Sequence, residues 1–525
     1  MITLLDYGAG NVRSVINALE QLGETVDLVE TAADIEKAER LVFPGVGNFG
    51  AMMQILRDRR LIEPLRNYLK SDRPFFGICI ALQALFESSE EAPDMPGLGF
   101  ISGRVKRFDT DLSVPHIGWN GFKARQPSRL FNGLSGEEKL YFVHSYHVVC
   151  DDEDAVLTTT DYGCEFVSSI QKGNVVATQF HPEKSGRVGL RILENFLDSS
   201  RQIIRPRNCP QITKIAKRII ACLDVRSNDQ GDLVVTKGDQ YDVREKGDVR
   251  NLGKPVQLAG EYYRQGADEI TFLNITAFRD FPLQDMPMIK VLRRTSKNVF
   301  VPLTIGGGIR DFTDRNGTSY SALEVASEYF RSGADKISIG SDAVLIVEEV
   351  LKTGKATGMS SIEQIARVYG NQAVVISVDP RRVYVDSPDA ISHPVIKTEL
   401  PGPKGERYCW YQCTIKGGRE GRDLDAVTLA RVCQDLGAGE ILLNCIDKDG
   451  TNSGFDLELI NAVRSAVSIP VIASSGAGSA RHFLEVFTQT DAEAALAAGI
   501  FHRKEVPIGE VKSFLQGRIE IRPTT

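Results

Sequence analysis

The chain has 525 residues, 42% of them hydrophobic and 25% charged, and a formal net charge of −7 at pH 7. This length exceeds what one hydrophobic core usually supports, so it predicts two or three domains. The mildly acidic composition, without a basic tract or an apolar run approaching about 18 residues, argues against a nucleic-acid partner and a membrane span.

The first 200 residues alternate short apolar runs with helical patterns, which predicts a layered α/β domain. The predicted strands are 2–5, 41–43, 74–78, 140–143 and 175–180, and the predicted helices are 11–22, 51–70, 80–88 and 188–198. Residues 201–213 lose apolar periodicity and contain two prolines. We therefore expect a linker there, between a first domain over 1–200 and a second domain over 214–525.

Cys79 lies in the sequence Gly-Ile-Cys-Ile-Ala-Leu-Gln over 77–83, where a predicted strand gives way to a helix. A sulfur held at such a turn, at a helix N-terminus, favours the thiolate. About a hundred residues later, His181 and Glu183 fall on the same side of an extended segment, His-Pro-Glu-Lys. The three residues together predict a Cys-His-Glu catalytic triad.

These motifs resemble those of the class I glutamine amidotransferases, Gly-x-Cys-x-Gly-x-Gln and His-Pro-Glu. The resemblance implies that backbone N–H groups in the glycine-rich loop around Gly47, with that of Ile80, bind an oxyanion. It also implies that the α-amino and α-carboxylate groups of glutamine are held by Gln83, Ser145 and Tyr146. Ala81 stands where the family has a glycine, so we expect slower glutamine hydrolysis than in an Ala81→Gly variant.

The second domain contains an internal duplication. Matching segments are 218–225 with 373–380, 266–275 with 437–446, and 301–308 with 469–476. Four strands, each followed by a helical pattern and then repeated, predict a (β/α)8 TIM barrel built from two half-barrels. The spacing between the copies grows after Asp379, which predicts an insertion at 401–423.

Acidic residues and glycines fall at the predicted ends of the barrel strands. Asp224 and Asp379 end strands one and five, where two opposed carboxyl groups can act as general acid and general base. Successive N–H groups at glycine-rich strand ends suit a phosphate. The residues of two such predicted sites are Gly307, Gly308, Gly340 and Ser341 in the first half, and Ser475, Gly476 and Gly499 in the second. Two sites imply a substrate with a phosphate at each end.

An amidotransferase pattern fused to a duplicated barrel resembles the bifunctional imidazole glycerol phosphate synthase family of histidine biosynthesis. The barrel motifs are Ala-Cys-Leu-Asp at 221–224, Gly-Gly-Gly-Ile at 306–309 and Ser-Ser-Gly-Ala-Gly at 474–478. The resemblance implies that ammonia from glutamine passes through the barrel to phosphoribulosyl-formimino-aminoimidazole carboxamide ribotide. The implied products are imidazole glycerol phosphate and aminoimidazole carboxamide ribotide. Lys237 on the first barrel loop, Asn274 and Asp447 are the further implied substrate contacts.

Four charged residues begin predicted barrel strands at the opposite end of the barrel. They lie on strands one, two, four and six and are Arg218, Glu269, Lys336 and Glu440. Such charges are usually a solvated rim, but two basic and two acidic groups can close a salt-bridged ring over the opening. The resemblance implies an ammonia gate at this position.

Two other functions stay open from the sequence. One is an amidotransferase that feeds a different acceptor, and the other is an ammonia-dependent cyclase with a weakened glutaminase domain, which Ala81 favours. No metal or organic cofactor is indicated, and we expect small-molecule substrates and a monomer because both activities lie on one chain. Details at 298–302 and 501–507 resemble the plant form. They predict the plastid stroma without a visible transit peptide, with the cytoplasm as the alternative.

Overall fold

A computed structural model of the chain describes residues 1–8, 10–198, 200, 214–227, 233–236, 244–245, 248–249, 251–275, 283 and 286–524. The predicted linker, 201–213, and Lys237 lie outside the described residues. The described residues form an N-terminal α/β domain followed by a (β/α)8 barrel, as the sequence predicts. None of the helices in these ranges has the length and apolarity needed to cross a membrane.

The N-terminal domain is built on one mixed sheet. From edge to edge its strands are Val26–Leu28, Ile2–Leu4, Leu41–Phe43, Phe75–Ile78, Val175–Thr178, Glu165–Lys172, Tyr146–Cys150, Gly103–Arg107 and Ser88–Ser89. Strands Val156–Asp161 and Lys123–Ala124 extend the sheet beside Glu165–Lys172. The first five strands are parallel. The central strands Leu41–Phe43 and Phe75–Ile78 are short, fully buried apolar runs, which suit strands that are covered on both faces, whereas the edge strand Val26–Leu28 is partly exposed.

Helices connect the strands of this sheet. They are Val12–Gln21, Ala32–Lys37, Phe49–Asp58, Ile62–Lys70, Ile80–Ala84 and Gly186–Leu197, with short 3-10 turns at Arg129–Phe131, Glu153–Ala155 and Pro182–Lys184. The single helix predicted over 51–70 is wrong, because the chain forms two helices there. Arg60 takes a left-handed backbone conformation, with φ of +56°, which ends the first helix.

The predicted strand at 140–143 lies outside the main sheet. It is part of Leu140–His144, which pairs with the antiparallel strand His116–Asn120. This two-stranded ribbon contacts the barrel through Trp119. The carbonyl oxygen of Trp119 accepts a hydrogen bond from the N–H of Ala216 at 2.8 Å, and its indole N–H donates to the carbonyl of Asp268 at 3.1 Å.

Eight parallel strands close the barrel. In chain order they are Arg218–Ser227, Glu269–Asn274, Leu303–Gly306, Lys336–Ile339, Val374–Val378, Glu440–Asn444, Val471–Ser474 and Ala494–Ala497. Closure comes from pairing of the last strand with the first, which places Arg218 opposite Ala494. The helices of the barrel domain are Pro255–Arg264, Pro287–Thr295, Ala322–Arg331, Ser341–Thr353, Ser361–Tyr369, Ala426–Asp435, Leu457–Arg464, Ala480–Gln489, Gly499–His502 and Ile508–Leu515.

Short antiparallel strands decorate the barrel. The largest group follows barrel strand five and consists of Pro380–Val385, Ile396–Lys397, Tyr408–Ile415 and Glu420–Asp425. The remaining pairs are Arg244–Glu245 with Asp248–Val249 and Phe312–Thr313 with Ser319–Tyr320, and Leu233–Thr236 pairs with the first barrel strand. The predicted insertion, 401–423, is therefore too short. Its glycine-rich start is only the turn between two strands of a sheet that begins directly after Asp379.

The N-terminal domain packs on the end of the barrel where the strands begin. The ammonium group of Lys184 lies 2.7 Å from the carboxylate of Asp335, the residue that precedes barrel strand four. The side-chain amide of Asn11 donates to the same carboxylate at 2.8 Å. Lys184 directly follows Glu183 of the predicted triad, and Asp335 directly precedes Lys336 of the predicted charged ring, so this interface lies next to both groups along the chain.

Candidate active sites

Cys79 occupies a strained turn between strand Phe75–Ile78 and helix Ile80–Ala84. Its backbone has φ of +54° and ψ of −103°, a combination that residues other than glycine rarely adopt. The N–H of Cys79 donates to the carbonyl of Thr178 at 2.6 Å, which ties the turn to the neighbouring strand. The strand-turn-helix arrangement predicted around this cysteine is therefore present.

His181 and Glu183 lie beside Cys79. Nδ1 of His181 is 2.8 Å from a carboxylate oxygen of Glu183, and both side chains are buried. Burial acts to lower the pKa of His181, but the negative charge of Glu183 and the sulfur of Cys79 raise it to about 10. A protonated imidazole is thereby favoured next to the sulfur, as an acyl-transfer site requires.

Two glutamine side chains line the approach to the sulfur. The side-chain amide of Gln83 donates to the carbonyl of Tyr146 at 3.1 Å and to the side-chain oxygen of Gln179 at 3.2 Å. Gln179 in turn directs its amide at the sulfur of Cys79, at 3.4 Å. Gln179 was not among the residues predicted from the sequence. The signal was its position two residues before His181 on the same extended segment, which places both side chains on one face.

The other residues predicted to bind glutamine lie around this triad. The carbonyl of Ser145 accepts a hydrogen bond from the N–H of Phe108 at 3.1 Å. Gly47 lies against the barrel, since a Cβ atom built on it would be 3.1 Å from the carbonyl oxygen of Val368. Its φ of +147° is one that a side chain would strain. The predicted oxyanion loop therefore contacts both the nucleophile domain and the barrel.

A cavity of about 250 Å³ opens at the other end of the barrel, where the strands finish. The residues that line it include Asp224, Asp379, Asn444, Asp449, Ser475, Gly476, Gly499 and His502. Both predicted acid/base residues thus face one cavity. The parallel strands place them there because Asp224 follows the apolar run 219–223 and Asp379 follows the strand Val374–Val378, whose one polar residue is Ser377.

The carboxyl group of Asp379 is held by two donors. The side-chain amide of Asn444 donates to it at 2.7 Å and the hydroxyl of Ser377 at 3.3 Å. Burial raises the pKa of Asp379, and these two hydrogen bonds only partly oppose the rise. A raised pKa brings the carboxyl group closer to neutrality, where it can exchange a proton with a substrate. Asn444 was not predicted as a site residue, although it is the counterpart of Asn274 in the duplicated barrel.

The two predicted phosphate sites share one backbone pattern. Gly307 and Gly308 have φ of +90° and +79°, and Ser475 and Gly476 have φ of +72° and +97°. In the second half, Ser475, Gly476 and Gly499 line the cavity. In the first half, the space beside Gly308 is open, and the hydroxyl of Ser341 accepts a hydrogen bond from the N–H of Lys416 at 3.1 Å. The turn at Lys416 belongs to the sheet inserted after strand five.

Asn274 and Asp447 also lie at the end of the barrel where the strands finish. Asn274 ends barrel strand two, and its carbonyl oxygen would be 2.2 Å from a Cβ atom on Gly307. The carboxylate of Asp447 accepts a hydrogen bond from the N–H of Arg382 at 2.6 Å. Among the described residues, Leu273, Ile275, Ile446 and Asp449 line the cavity, whereas neither Asn274 nor Asp447 is one of its lining residues.

The four charged residues at the strand starts form a closed ring. Arg218 pairs with Glu269 at 3.0 Å and with Glu440, and Lys336 pairs with Glu269 at 2.7 Å and with Glu440 at 2.5 Å. All four side chains are buried. Burial acts to raise the pKa of Glu440, but Arg218 and Lys336 hold it below its ordinary value. The ring is therefore a closed network of ion pairs inside the protein, with the hydroxyl of Thr304 donating to Glu269 at 2.6 Å.

Two protein-family models match the chain. The glutamine amidotransferase class-I family matches residues 3–199, and the histidine biosynthesis protein family matches residues 218–507. The two matches together cover most of the chain, and they divide it between the domain that contains Cys79 and the domain that contains the barrel.

Relatives with both parts on one chain are similar over nearly its whole length. The chain is 60% identical, over 99% of its length, to the chloroplastic imidazole glycerol phosphate synthase hisHF of Arabidopsis thaliana, of which it covers 89%. It is 55% identical, over 98% of its length, to the hisHF enzyme of Emericella nidulans, of which it covers 98%. The synthase subunit HisF of Methanobrevibacter smithii is 41% identical over 58% of the chain and 97% of the subunit. The chain therefore belongs to the bifunctional imidazole glycerol phosphate synthase family, hisHF.

Proposed function

We propose that this chain hydrolyses glutamine in its N-terminal domain and uses the released ammonia in its barrel, as an enzyme of histidine biosynthesis. The acceptor is phosphoribulosyl-formimino-aminoimidazole carboxamide ribotide. The products are imidazole glycerol phosphate and aminoimidazole carboxamide ribotide. The observation that carries the proposal is that one chain brings together Cys79, His181 and Glu183 in one domain and Asp224 and Asp379 in one barrel cavity.

The glutaminase step follows from the geometry of the triad. The Cys79 thiolate attacks the side-chain carbonyl carbon of glutamine, and His181 gives its proton to the leaving nitrogen, so that ammonia departs and a thioester remains. A water molecule, deprotonated by His181, then hydrolyses the thioester to glutamate and restores the thiolate. Glu183 orients His181 and stabilises its charged form.

The residues around the triad bind the rest of the substrate in this proposal. Gln83, Ser145 and Tyr146 hold the α-amino and α-carboxylate groups of glutamine. The N–H groups of Gly47 and Ile80 stabilise the oxyanion that forms on the attacked carbonyl.

The charged ring is the gate for ammonia in this proposal. Arg218, Glu269, Lys336 and Glu440 lie between the glutaminase domain and the interior of the barrel, and their mutual contacts close the barrel start. A small neutral molecule passes only when at least one of these contacts opens. Each residue of the ring has two ion-pair partners. When one side chain moves away, the other three therefore still form ion pairs with one another.

The barrel cavity is the site of cyclisation in this proposal. Asp224 and Asp379 exchange protons with the acceptor as ammonia adds and the imidazole ring closes. The two strand-end sites, centred on Gly307 and Gly476, bind the two phosphates, with Gly308, Gly340, Ser341, Ser475 and Gly499 contributing to them. Lys237, Asn274 and Asp447 contact the substrate from the surrounding loops and strand ends.

Domain limits, oligomeric state and location complete the proposal. We place the glutaminase domain at 1–200, the linker at 201–213 and the barrel at 214–525, which the family matches over 3–199 and 218–507 support. A monomer is proposed because both activities lie on one chain. The similarity to a chloroplastic enzyme supports the plastid stroma, and the cytoplasm is the alternative. A fluorescent fusion of the full chain distinguishes the two locations.

Two variants test the assignment of the two sites. Cys79→Ala should abolish glutamine-dependent product formation but leave turnover with added ammonium salts, because the thiolate serves only the glutaminase. Asp379→Asn should stop cyclisation with either nitrogen source. Cys164→Ala removes a half-buried thiol of the same domain outside the triad and serves as the matched control.

The same assay separates the alternative functions. A wild-type chain that cyclises with ammonium but never releases glutamate is an ammonia-dependent cyclase, and one that releases glutamate without converting the ribotide feeds another acceptor. Loss of ammonium-dependent turnover in folded Cys79→Ala would contradict the two-site assignment.

A further inference from the structure

Two buried histidines connect the interior of the N-terminal domain to the backbone of Tyr146. Nδ1 of His144 lies 2.7 Å from the carbonyl oxygen of Tyr146, and Nε2 of His144 lies 3.2 Å from Nδ1 of His116. Nε2 of His116 lies 3.4 Å from the side-chain nitrogen of Asn120, which also donates to the carbonyl of Asp161 at 2.8 Å. The contacts form one continuous chain from the ribbon strand His116–Asn120 to Tyr146.

The chemistry of the two ends fixes every proton in this chain. A carbonyl oxygen only accepts, so His144 carries its proton on Nδ1 and presents a lone pair on Nε2. His116 must then donate from Nδ1, which leaves its Nε2 to accept from the amide of Asn120. Both rings are neutral, because burial lowers the pKa of His144 to about 3 and that of His116 well below its ordinary value.

The ring of His116 is held in place by two aromatic neighbours. It stacks on Tyr162 with ring centroids 3.8 Å apart and on Phe142 with centroids 4.9 Å apart, at angles of 20° and 16°. The two stacks fix the plane of the imidazole, and the plane fixes the direction in which Nδ1 donates. The Nδ1–H group of His116, which donates to His144, is therefore held in the right direction before the hydrogen bond forms.

The end of the chain reaches the residues of the glutaminase site. The carbonyl of Tyr146 accepts from His144 and also from Gln83, and Gln83 contacts Gln179, whose amide is directed at the Cys79 sulfur. A displacement of the Tyr146 carbonyl, which is part of the peptide between Tyr146 and His147, therefore moves Gln83 with it.

We propose that His116 is a positioning residue of the glutaminase site. It fixes the tautomer of His144 and so holds the Tyr146 backbone and Gln83 where they bind the α-amino and α-carboxylate groups of glutamine. The inference rests on the proposed glutaminase function, and it assigns His116 no contact with the substrate.

Two substitutions of His116 separate positioning from packing. In His116→Asn, the amide nitrogen takes the place of Nδ1 and still donates to His144, although the smaller side chain leaves a larger void. In His116→Gln, the amide takes the place of Nε2, fills the site better and loses the donor to His144. Positioning predicts that His116→Gln is the more damaging change, whereas packing predicts that His116→Asn is.

The readout is the KM for glutamine and the kcat of glutamate release, per active site titrated with a thiol reagent. We expect His116→Gln to raise KM about tenfold with a smaller change in kcat, and His116→Asn to stay within about threefold of wild type. A KM in His116→Gln equal to wild type, or a larger rise in His116→Asn, overturns the inference alone. Glutamate release that persists in Cys79→Ala overturns the proposed function and this inference with it.

If His116→Gln does not fold, the wild-type chain supplies the test. A long-range ¹H–¹⁵N spectrum of ¹⁵N-histidine-labelled protein should show neutral Nδ1–H tautomers at both His116 and His144. An Nε2–H tautomer at either ring overturns the inference.

Discussion

The turn at the nucleophile has room for the methyl group of Ala81. Ala81 is buried in helix Ile80–Ala84, and a Cβ atom built on Gly77 would lie 3.4 Å from its methyl group, an ordinary contact distance. Ala81 therefore packs beside Gly77 without overlap. The slower hydrolysis expected from the sequence assumed an overpacked turn, and this contact gives no support to that assumption.

We expect Ala81→Gly to lower the stability of the protein without increasing the rate of glutamine hydrolysis. Glycine in a helix costs roughly 0.5–1 kcal/mol relative to alanine, and loss of the buried methyl adds to that cost. Denaturant unfolding and glutamate release measure the two effects. Gly77→Ala is the matched change on the other side of the contact, and its Cβ would meet Phe75 at 3.0 Å and Ala177 at 3.1 Å, so its loss of stability should be larger. Faster glutamate release by Ala81→Gly would show that the methyl strains the turn.

The carboxyl group of Asp379 should lower the stability of the barrel at neutral pH. Burial raises the pKa of its carboxyl group, so folding favours the protonated form. A group of this kind stabilises the fold below its unfolded-state pKa and loses that contribution as the pH rises through the folded-state pKa. At neutral pH, ionisation of this carboxyl group therefore lowers the stability of the folded protein.

Asp379→Asn should therefore melt at a higher temperature than wild type at pH 7.5, while cyclisation is lost. Each kcal/mol is worth about 2–4 °C in a domain of about this size. The difference should shrink as the pH falls through the raised pKa of the wild-type carboxyl group, because both proteins are then neutral at this position. Calorimetry at several pH values gives the result, and a variant that melts below wild type at pH 7.5 would contradict the burial argument.

At the scale of elements, local patterns carried most of what the sequence could predict. Cys79, Asp224 and Asp379 follow apolar runs of strand length, so their places at strand ends follow from the pattern itself. Asn444 also follows an apolar run, at 441–443, but its importance, like that of His116, comes from partners that lie on other strands. The break at Arg60 was missed because an exposed arginine inside an amphipathic pattern carries no mark of a left-handed conformation.

The charged ring is an element-scale feature that a single substitution can open. Lys336→Ala removes one of two cations that contact both Glu269 and Glu440, so ammonia passage should be disturbed more than either chemical step. We expect more glutamate released per imidazole product than in wild type. A ratio unchanged from wild type in the folded variant would contradict the gate.

Thr304→Val supplies the control for that experiment. It removes a hydrogen bond to Glu269 from outside the ring and leaves all four charges in place. It should lower stability by about 1 kcal/mol with no change in the product ratio. If both variants raised the ratio of glutamate to imidazole product equally, the cause would be a general loosening of the start of the barrel and not the loss of a ring charge.

At the scale of the whole molecule, the packing of the two domains was beyond the sequence. The duplicated motifs predicted the barrel and the triad predicted the glutaminase, but the contacts that join them are single residues without a pattern. Lys184 reaches Asp335, and Arg522 near the C-terminus stacks over Trp119, with the guanidinium 4.1 Å from the ring. These contacts place the glutaminase against the ring rather than against the cavity at the far end.

The central claim is that ammonia travels from Cys79 to the barrel cavity inside the protein. The most direct measurement supplies glutamine labelled with ¹⁵N at its side-chain amide, together with excess unlabelled ammonium, and determines the isotope in imidazole glycerol phosphate by mass spectrometry. We predict a product that carries mainly ¹⁵N, because nitrogen released inside the protein reaches the cavity before it mixes with the solution. A product whose label is diluted to the ratio of the bulk ammonium would contradict the account.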